Sequence, residues 1–379
     1  MENVNSVCFI NKILKIEPIE GADKIELVTV NGWKSIVAKG KHFEGELVLC
    51  ITTDAVIPFD KADKWGITSY LRKGNRVRTV KLRGVYSECI LIPIQDIGIK
   101  REYLVEYLKE GKDCMSNLGI FKYEPPVKEI QGSNGKKVRY QDNPNFHVYY
   151  KFPNAKNVPN MFDPNDVVVV TRKIHGTNAR YGIVKKSKLS LWDKIRKFFG
   201  NYLVEYTYVY GSHNVEKGSE SGGFYSTDVW REMADKYKIQ ANLWKLVGLI
   251  DREQLGSGIT VYGEIYGPGI QGEKYHYNLP KINLVLFDVK INDKYLGNFD
   301  CKVISNHLDI AYVLEISTGT WRNIEPRIPG FLNCHIEGTN VPHEGIVVKT
   351  IDGSRDKICK FINPEYHTFS EKHLVPDSH

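Results

Sequence analysis

The stretch Val167-Val-Val-Val-Thr-Arg-Lys-Ile-His-Gly-Thr-Asn-Ala-Arg-Tyr-Gly-Ile-Val184 decides how the larger part of the chain folds. Val167 to Thr171 is a β-branched run of the kind that forms a buried strand. Ala179 to Val184 returns as a second strand, and the polar connection Lys173-Ile-His-Gly-Thr-Asn178 lies between them. A lysine at the mouth of a strand, beside a glycine that lets the backbone turn, is a candidate nucleophile. An ammonium cannot attack, so such a lysine needs burial or neighbouring cations to release its proton, and Arg172 adjoins it. Taken alone, the tetrapeptide around Lys173 is weak evidence and reads more simply as an exposed turn.

Working outward, three further segments carry the same pattern of apolar strand plus polar group. Ile259 to Tyr266 reads as a strand bearing Glu264, and Ile282 to Val289 as a buried strand ending in Phe287-Asp288. Glu344-Gly-Ile-Val-Val-Lys349 sets a carboxylate and a lysine five apart around an apolar run, with Lys357 and Lys360 beyond it. Strand alternation puts residues 344 and 349 on opposite faces unless Glu344 precedes the strand or the strand bulges. Singly, Glu264 and Glu344 read as structural ion-pair partners and Phe287 as core. Together and in this order they suit nucleotide transfer. Two carboxylates can hold a hard divalent cation, lysines can neutralise a triphosphate, and an aromatic ring can stack on a base.

The residues before this region have a different character. Val7–Ile16, Ile25–Val30, Trp33–Ala38, Glu46–Thr52, Arg76–Leu82 and Glu88–Ile92 are short β-type runs separated by turn signals such as Asn31-Gly32. Five or more such strands without a long amphipathic helix predict an OB-like β-barrel over residues 1–118. Arg76-Val-Arg-Thr-Val-Lys-Leu-Arg83 packs four cations into eight residues. It is either a charged edge strand or a phosphate-tracking surface, with Arg76 and Arg78 as candidate RNA contacts. Pro125-Pro126, Asn134-Gly135 and Asn143-Pro144 mark a linker over 119–145, leaving 146–379 as the second domain. The fold class expected is α+β, a barrel followed by antiparallel sheets flanked by helices.

Composition bounds the function. Of 379 residues, 42% are hydrophobic and 26% charged, which excludes wholesale disorder. The formal charge of +7 permits a polyanionic partner without requiring one. No apolar run approaches the roughly 20 residues of a membrane span, and neither a secretory signal nor a disulfide scaffold is expected. The seven cysteines are odd in number, scattered and without a CxxC pair, which favours a reducing, cytoplasmic setting. Lys185 to Phe199 is basic and amphipathic at helical spacing. Packing on its own domain is the usual fate of such a helix, with membrane-surface contact or an RNA clamp as the alternatives.

The motifs in their order resemble the covalent nucleotidyltransferases, the family of polynucleotide ligases and mRNA capping enzymes. Lys173-Ile-His-Gly176 is similar to the nucleotide-accepting motif, Tyr262-Gly-Glu-Ile265 to the third motif, and Phe287-Asp288-Val289 to its aromatic companion. Glu344 to Lys349 is similar to the fourth motif and the stretch around Lys360 to the fifth. Histidine at 175 followed by Thr-Asn is RNA-ligase-like. Ile19 to Leu27, Arg76 to Gly84 and Leu118 to Pro126 resemble the RNA ligase 5 branch, in which the OB module precedes the catalytic domain.

The resemblance implies ATP-dependent joining of 3′-hydroxyl and 5′-phosphate RNA ends in RNA repair, through a lysyl-AMP on Lys173 and an RNA-adenylate. It implies ATP and Mg2+ or Mn2+ as cofactors and a monomer acting on RNA or an RNA/DNA nick. Lys349 and Lys360 would hold the α-phosphate. Thr171, Arg172, His175, Gly176, Asn178, Glu264, Phe287, Glu344 and Lys357 would line the nucleotide site, and Glu264 and Glu344 would orient a metal through water. Ser212, His213 and Asn214 would contact RNA. Three positions depart from the family pattern: His213 stands for an arginine, Arg172 for a glutamate, and Lys360-Phe-Ile362 for Lys-x-Lys. A guanylyltransferase using GTP, a degenerate ligase that only binds nucleic acid, and a DNA ligase are the competing readings.

Overall fold

The computed structural model describes residues 5–98, 105, 108–123, 143–213, 215–217, 228–271 and 275–372. Asn214 and most of the expected linker lie outside the described residues.

The first unit is built on β1 (Cys8–Pro18), β2 (Ile25–Val30), β3 (Trp33–Ala38), β4 (Leu47–Thr52) and β8 (Cys89–Pro93), in the spatial order β3-β2-β1-β4-β8. The outer strands β3 and β8 are brought together by Glu88 N donating to Lys34 O at 2.7 Å and Ser35 Oγ donating to Cys89 O at 2.8 Å, which closes the sheet into a barrel. Inside lie Phe9, Ile13, Val28, Val30, Trp33, Val48 and Leu91. Each contributes roughly 1.5–3 kcal/mol by leaving water, enough for the inward positions to fix the strand register. The sequence expectation of one strand over 76–82 is corrected. Only β6 (Val80–Leu82) is strand there, paired in a hairpin with β7 (Val85–Ser87). Two short strands, β5 (Ala55–Val56) and β9 (Phe121–Lys122), pair with each other, so the unit's contacts run past residue 118.

The second unit holds two antiparallel sheets. One has the order β18 (Glu315–Thr320), β10 (Val167–Lys173), β19 (Gly345–Thr350), β20 (Ile358–Ile362). The other runs β13 (Glu216–Lys217), β12 (Tyr206–Gly211), β11 (Thr177–Lys185), β14 (Gly258–Tyr266), β15 (Asn283–Ile291), β16 (Lys294–Tyr295), with β17 (Ala311–Tyr312) pairing parallel to β15. The alternating inward residues Ala179, Tyr181, Ile183, Val261, Ile265, Leu284 and Leu286 pack against the helices Val229–Lys236, Ile239–Val247 and Asn298–His307. A smaller core forms where Val168, Val170, Ile346 and Val348 meet Trp321, Ile324 and Ile328.

Ile174-His175-Gly176 is the step by which the chain leaves β10 in one sheet and enters β11 in the other. The polar groups of both sheets therefore converge on that step. The two units touch through residues 156 and 157. Trp33 Nε1 donates to Asn157 Oδ1 at 2.7 Å, Asn157 Nδ2 donates to Ser6 O at 3.1 Å, and Lys156 pairs with Glu88. Gly32 permits this approach, since a Cβ there would lie 2.9 Å from Lys156 Cα. All seven cysteines are free, and among the described residues no helix is long and apolar enough to cross a membrane.

Candidate active site

Lys173 is the last residue of β10, and alternation along that strand puts Lys173, Thr171 and Val169 on one face. Cross-strand pairing sets Gly345, Val347 and Lys349 of β19 opposite these three, and Ile362, Lys360 and Ile358 of β20 beyond them. Lys173 and Lys360 thus share a face two strands apart. Glu344 precedes β19, which resolves the alternation problem posed by its spacing from Lys349. Its carboxylate is fully buried, with Oε1 2.5 Å from Lys173 Nζ and Oε2 3.8 Å from His175 Nδ1. Neither oxygen accepts a hydrogen bond of good geometry. Gly345 must be glycine because a Cβ there would lie 2.1 Å from Phe361 O.

The turn carrying His175 is gripped from three directions. Tyr277 Oη accepts from the His175 backbone N–H at 2.7 Å, and Tyr366 Oη lies 3.0 Å from His175 Nδ1. The imidazole also packs against Tyr275, ring centroids 4.4 Å apart. Gly176 presses on β14, where a Cβ would meet Ile265 O at 2.3 Å. From β11, Asn178 pairs in register with Glu264 of β14, and Asn178 Oδ1 is buried without a hydrogen-bond partner. Burial raises the Glu264 carboxyl to about 8, Lys173 opposing and Glu344 adding to the rise. Lys360, close to the first unit, is pushed down to about 7 by burial and by the cations Lys122 and Lys173, against the opposite pull of Glu344 and Asp54. A cavity of about 50 Å³ between the units is lined by Thr53, Asp54, Lys122, Asn154 and Lys360, among others.

Phe287 is the extra residue of a β-bulge. Tyr262 pairs with Asp288 and Gly263 with Leu286, which leaves Phe287 unpaired and free to turn its ring against Tyr149. Lys349 is drawn to this side, its Nζ 3.2 Å from Phe287 O, 3.4 Å from Tyr312 Oη and 3.8 Å from Asp288 Oδ2.

Several sequence-derived candidates are placed elsewhere. Arg172 alternates to the face of β10 opposite Lys173, pairs across from Ile346 and donates to Phe331 O at 2.9 Å. Lys357 precedes β20 and clamps the turn before β10 through Asp163 at 2.5 Å and Asp166 at 2.6 Å, at the end of that strand away from Lys173. Arg76 is buried against Asp54 and stacks on Tyr123 at 4.3 Å, which removes it from the surface, whereas Arg78 is exposed. Ser212 O accepts from Arg180 Nε at 2.7 Å, and His213 follows it at the partly exposed end of β12. The helix over Leu191–Phe198 buries none of its residues and touches its domain through its polar side only.

Residues the sequence reading missed are Tyr277 and Tyr366, Asp54 and Lys122 at the unit boundary, and Arg355, whose Nη2 donates to Asp288 Oδ1 at 2.6 Å. The aromatic spacing Tyr275-His-Tyr277 was the one available signal for the first of these.

Among the described residues no three His, Cys, Asp or Glu side chains converge to cage a metal. The oxygen-only set of Glu264, Glu344 and the unpartnered Asn178 Oδ1 nevertheless fits a hard divalent cation held largely through water.

Two sheets meeting at a strand-end lysine, with a barrel ahead of them, define the ligase type of nucleotidyltransferase fold. The RNA ligase family model matches residues 166–362, and an OB-fold domain model matches residues 7–94. The chain belongs to the RNA ligase family. Solved structures of a Naegleria gruberi RNA ligase share its fold. The form with PPi aligns at a TM-score of 0.72 and 21% identity, over 98% of this chain and 100% of that one. A variant with ATP and Mn aligns at 0.73 and 21%, and one with AMP and Mn at 0.73 and 22%, both over 98% of this chain and 100% of that one. No curated protein matched in sequence.

Proposed function

We propose that this RNA ligase uses ATP and seals a 3′-hydroxyl to a 5′-phosphate in RNA repair through an adenylate carried on Lys173. The observation that carries the reading is the placement of Lys173 Nζ 2.5 Å from the buried Glu344 carboxylate, on the face it shares with Lys360. In the first transfer Lys173 Nζ attacks the α-phosphorus of ATP. The N–P bond forms, the bond to the pyrophosphate oxygen breaks, and the amine's proton has Glu344 Oε1 within reach. Lys360 holds the α-phosphate oxygens and Phe287 stacks on adenine. Lys349, anchored to the Phe287 carbonyl and Asp288, positions that ring rather than the phosphate.

Glu264, Glu344 and Asn178 would hold Mg2+ or Mn2+. The cation supplies Lewis-acid stabilisation of charge on the α-phosphate. The AMP then passes to the RNA 5′-phosphate, and the 3′-hydroxyl displaces it. Ser212, His213 and Arg78 are the candidate RNA contacts, and the chain acts as a monomer in the cytoplasm.

Incubation with labelled ATP or GTP and magnesium tests the reading. Label from ATP should stay on denatured protein and transfer to 5′-phosphorylated RNA. Label from GTP alone would make the chain a capping-type enzyme, and RNA binding without label would make it a degenerate ligase. Sealing assays with RNA or DNA on each side of a nick, a tRNA break or free ends would define the substrate.

A further inference from the structure

The insert between β11 and β12 contains the helix Leu191–Phe198, started by a capping box in which Ser190 and Asp193 satisfy each other's backbone N–H groups. At 100° per residue, Leu191, Trp192, Ile195, Phe198 and the capping Phe199 cover an arc of roughly 120°. An amphipathic helix ordinarily turns such an arc inward. This one is reversed. Its polar side is tied down, with Asp193 3.1 Å from Lys186 and Lys197 2.6 Å from Glu205, which Arg252 also holds at 3.0 Å. The apolar arc faces solvent: Trp192 is 71% exposed, Phe198 87% and Phe199 80%. Lys194 and Arg196 flank the arc and are exposed, as are Lys185 and Lys188.

We infer that this insert docks the ligase on an anionic lipid bilayer surface. An exposed apolar arc flanked by cations matches the acyl boundary and the headgroup layer of such a surface at once. Single-stranded RNA offers bases to stack on aromatic rings but nothing for Leu191 and Ile195, and the cations here border the apolar arc rather than run through it. A second copy would set two basic faces together, which like-charge repulsion opposes. The helix leaves β11 at Lys185, eight residues and roughly 26 Å along the strand from Thr177 beside the nucleophile. Docking by this end leaves the Lys173 end open to RNA.

The test is flotation of the full-length protein with phosphatidylcholine vesicles, with and without phosphatidylserine. Binding should require phosphatidylserine and weaken with salt. Trp192→Glu combined with Phe198→Glu should abolish it, and Lys194→Gln and Arg196→Gln should weaken it roughly fivefold each. All four changes should leave self-adenylylation intact, which reports that the variants fold. Equal binding by wild type and the Trp192→Glu/Phe198→Glu variant, or no binding to phosphatidylserine vesicles, would overturn the inference. So would loss of RNA affinity, or of a concentration-dependent dimer, in that variant without a vesicle effect.

Discussion

Lys173 Nζ and Glu344 Oε1 lie 2.5 Å apart, with the carboxylate wholly buried and the amine still partly open to the pocket. A buried carboxylate with a single close cation is costly to leave alone. Lys173→Ala should therefore both abolish covalent labelling by ATP and destabilise the protein by about 3–5 kcal/mol, the usual cost of removing one member of a buried pair. Lys186→Ala, which breaks only the contact to Asp193 in the outlying insert, should keep its label. Persistent label on Lys173→Ala would remove this lysine from the chemistry.

Gly176 sits where a Cβ would meet Ile265 O at 2.3 Å and Glu264 Cγ at 2.9 Å. Backbone cannot yield as a side-chain tip can, so Gly176→Ala must push the turn away from β14. Overpacking of this kind costs about 1–3 kcal/mol. Displacing Lys173 by even about 1 Å should lower the adenylylation rate on the order of 100-fold. Rapid-quench labelling alongside urea unfolding separates the two effects; a variant that labels at the wild-type rate would show that the turn's position is unimportant.

The strands bearing the site were legible because alternation and β-branching are local properties. β2 and β3 begin and end where their residues predict, and Glu264, Phe287 and Glu344 stand on or beside the expected strands. What could not be read depends on which strands become neighbours. Nothing near His175 announces that Tyr366, almost 200 positions later, reaches its ring. Lys357 and Lys360 look equivalent in sequence. One precedes β20 and finds Asp163 and Asp166, while the other faces the pocket. The destination of the apolar helix stays open in sequence for a related reason, since periodicity reveals an apolar arc but not the direction in which it points.

Asp288 is fully buried and accepts from Tyr149 Oη at 2.8 Å and from Arg355 Nη2 at 2.6 Å, with Lys349 Nζ at 3.8 Å. Asp288→Asn keeps the shape but leaves two nearly buried cations unneutralised, at a cost of about 3–5 kcal/mol. Replacing Arg355 with Met in the same protein should recover part of that loss, and a double-mutant cycle in urea measures the coupling. Additive losses would mean that the three groups are not one network. Because Lys349 holds the Phe287 carbonyl, Asp288→Asn should also weaken ATP binding more than it slows the bound reaction.

The raised Glu264 and the lowered Lys360 give stability opposite pH dependences. An unfolded glutamate loses its proton near pH ~4.3, whereas burial keeps Glu264 protonated to about 8. Across that window the folded state binds the extra proton, so Glu264 makes stability fall as pH rises. Lys360 gives up its proton at about 7 when folded and near ~10.4 when unfolded. There the unfolded state binds the extra proton, and stability rises with pH. From these two groups stability should decline up to pH 7, level off to 8 as the contributions cancel, and recover above. Glu264→Gln should remove the decline and Lys360→Met the recovery, as read from thermal melts across pH. Magnesium binds the ionised carboxylate, so it should raise the wild-type melting temperature more above pH 8 than below, and have little effect on Glu264→Gln. A magnesium effect independent of pH and retained in that variant would place the cation elsewhere.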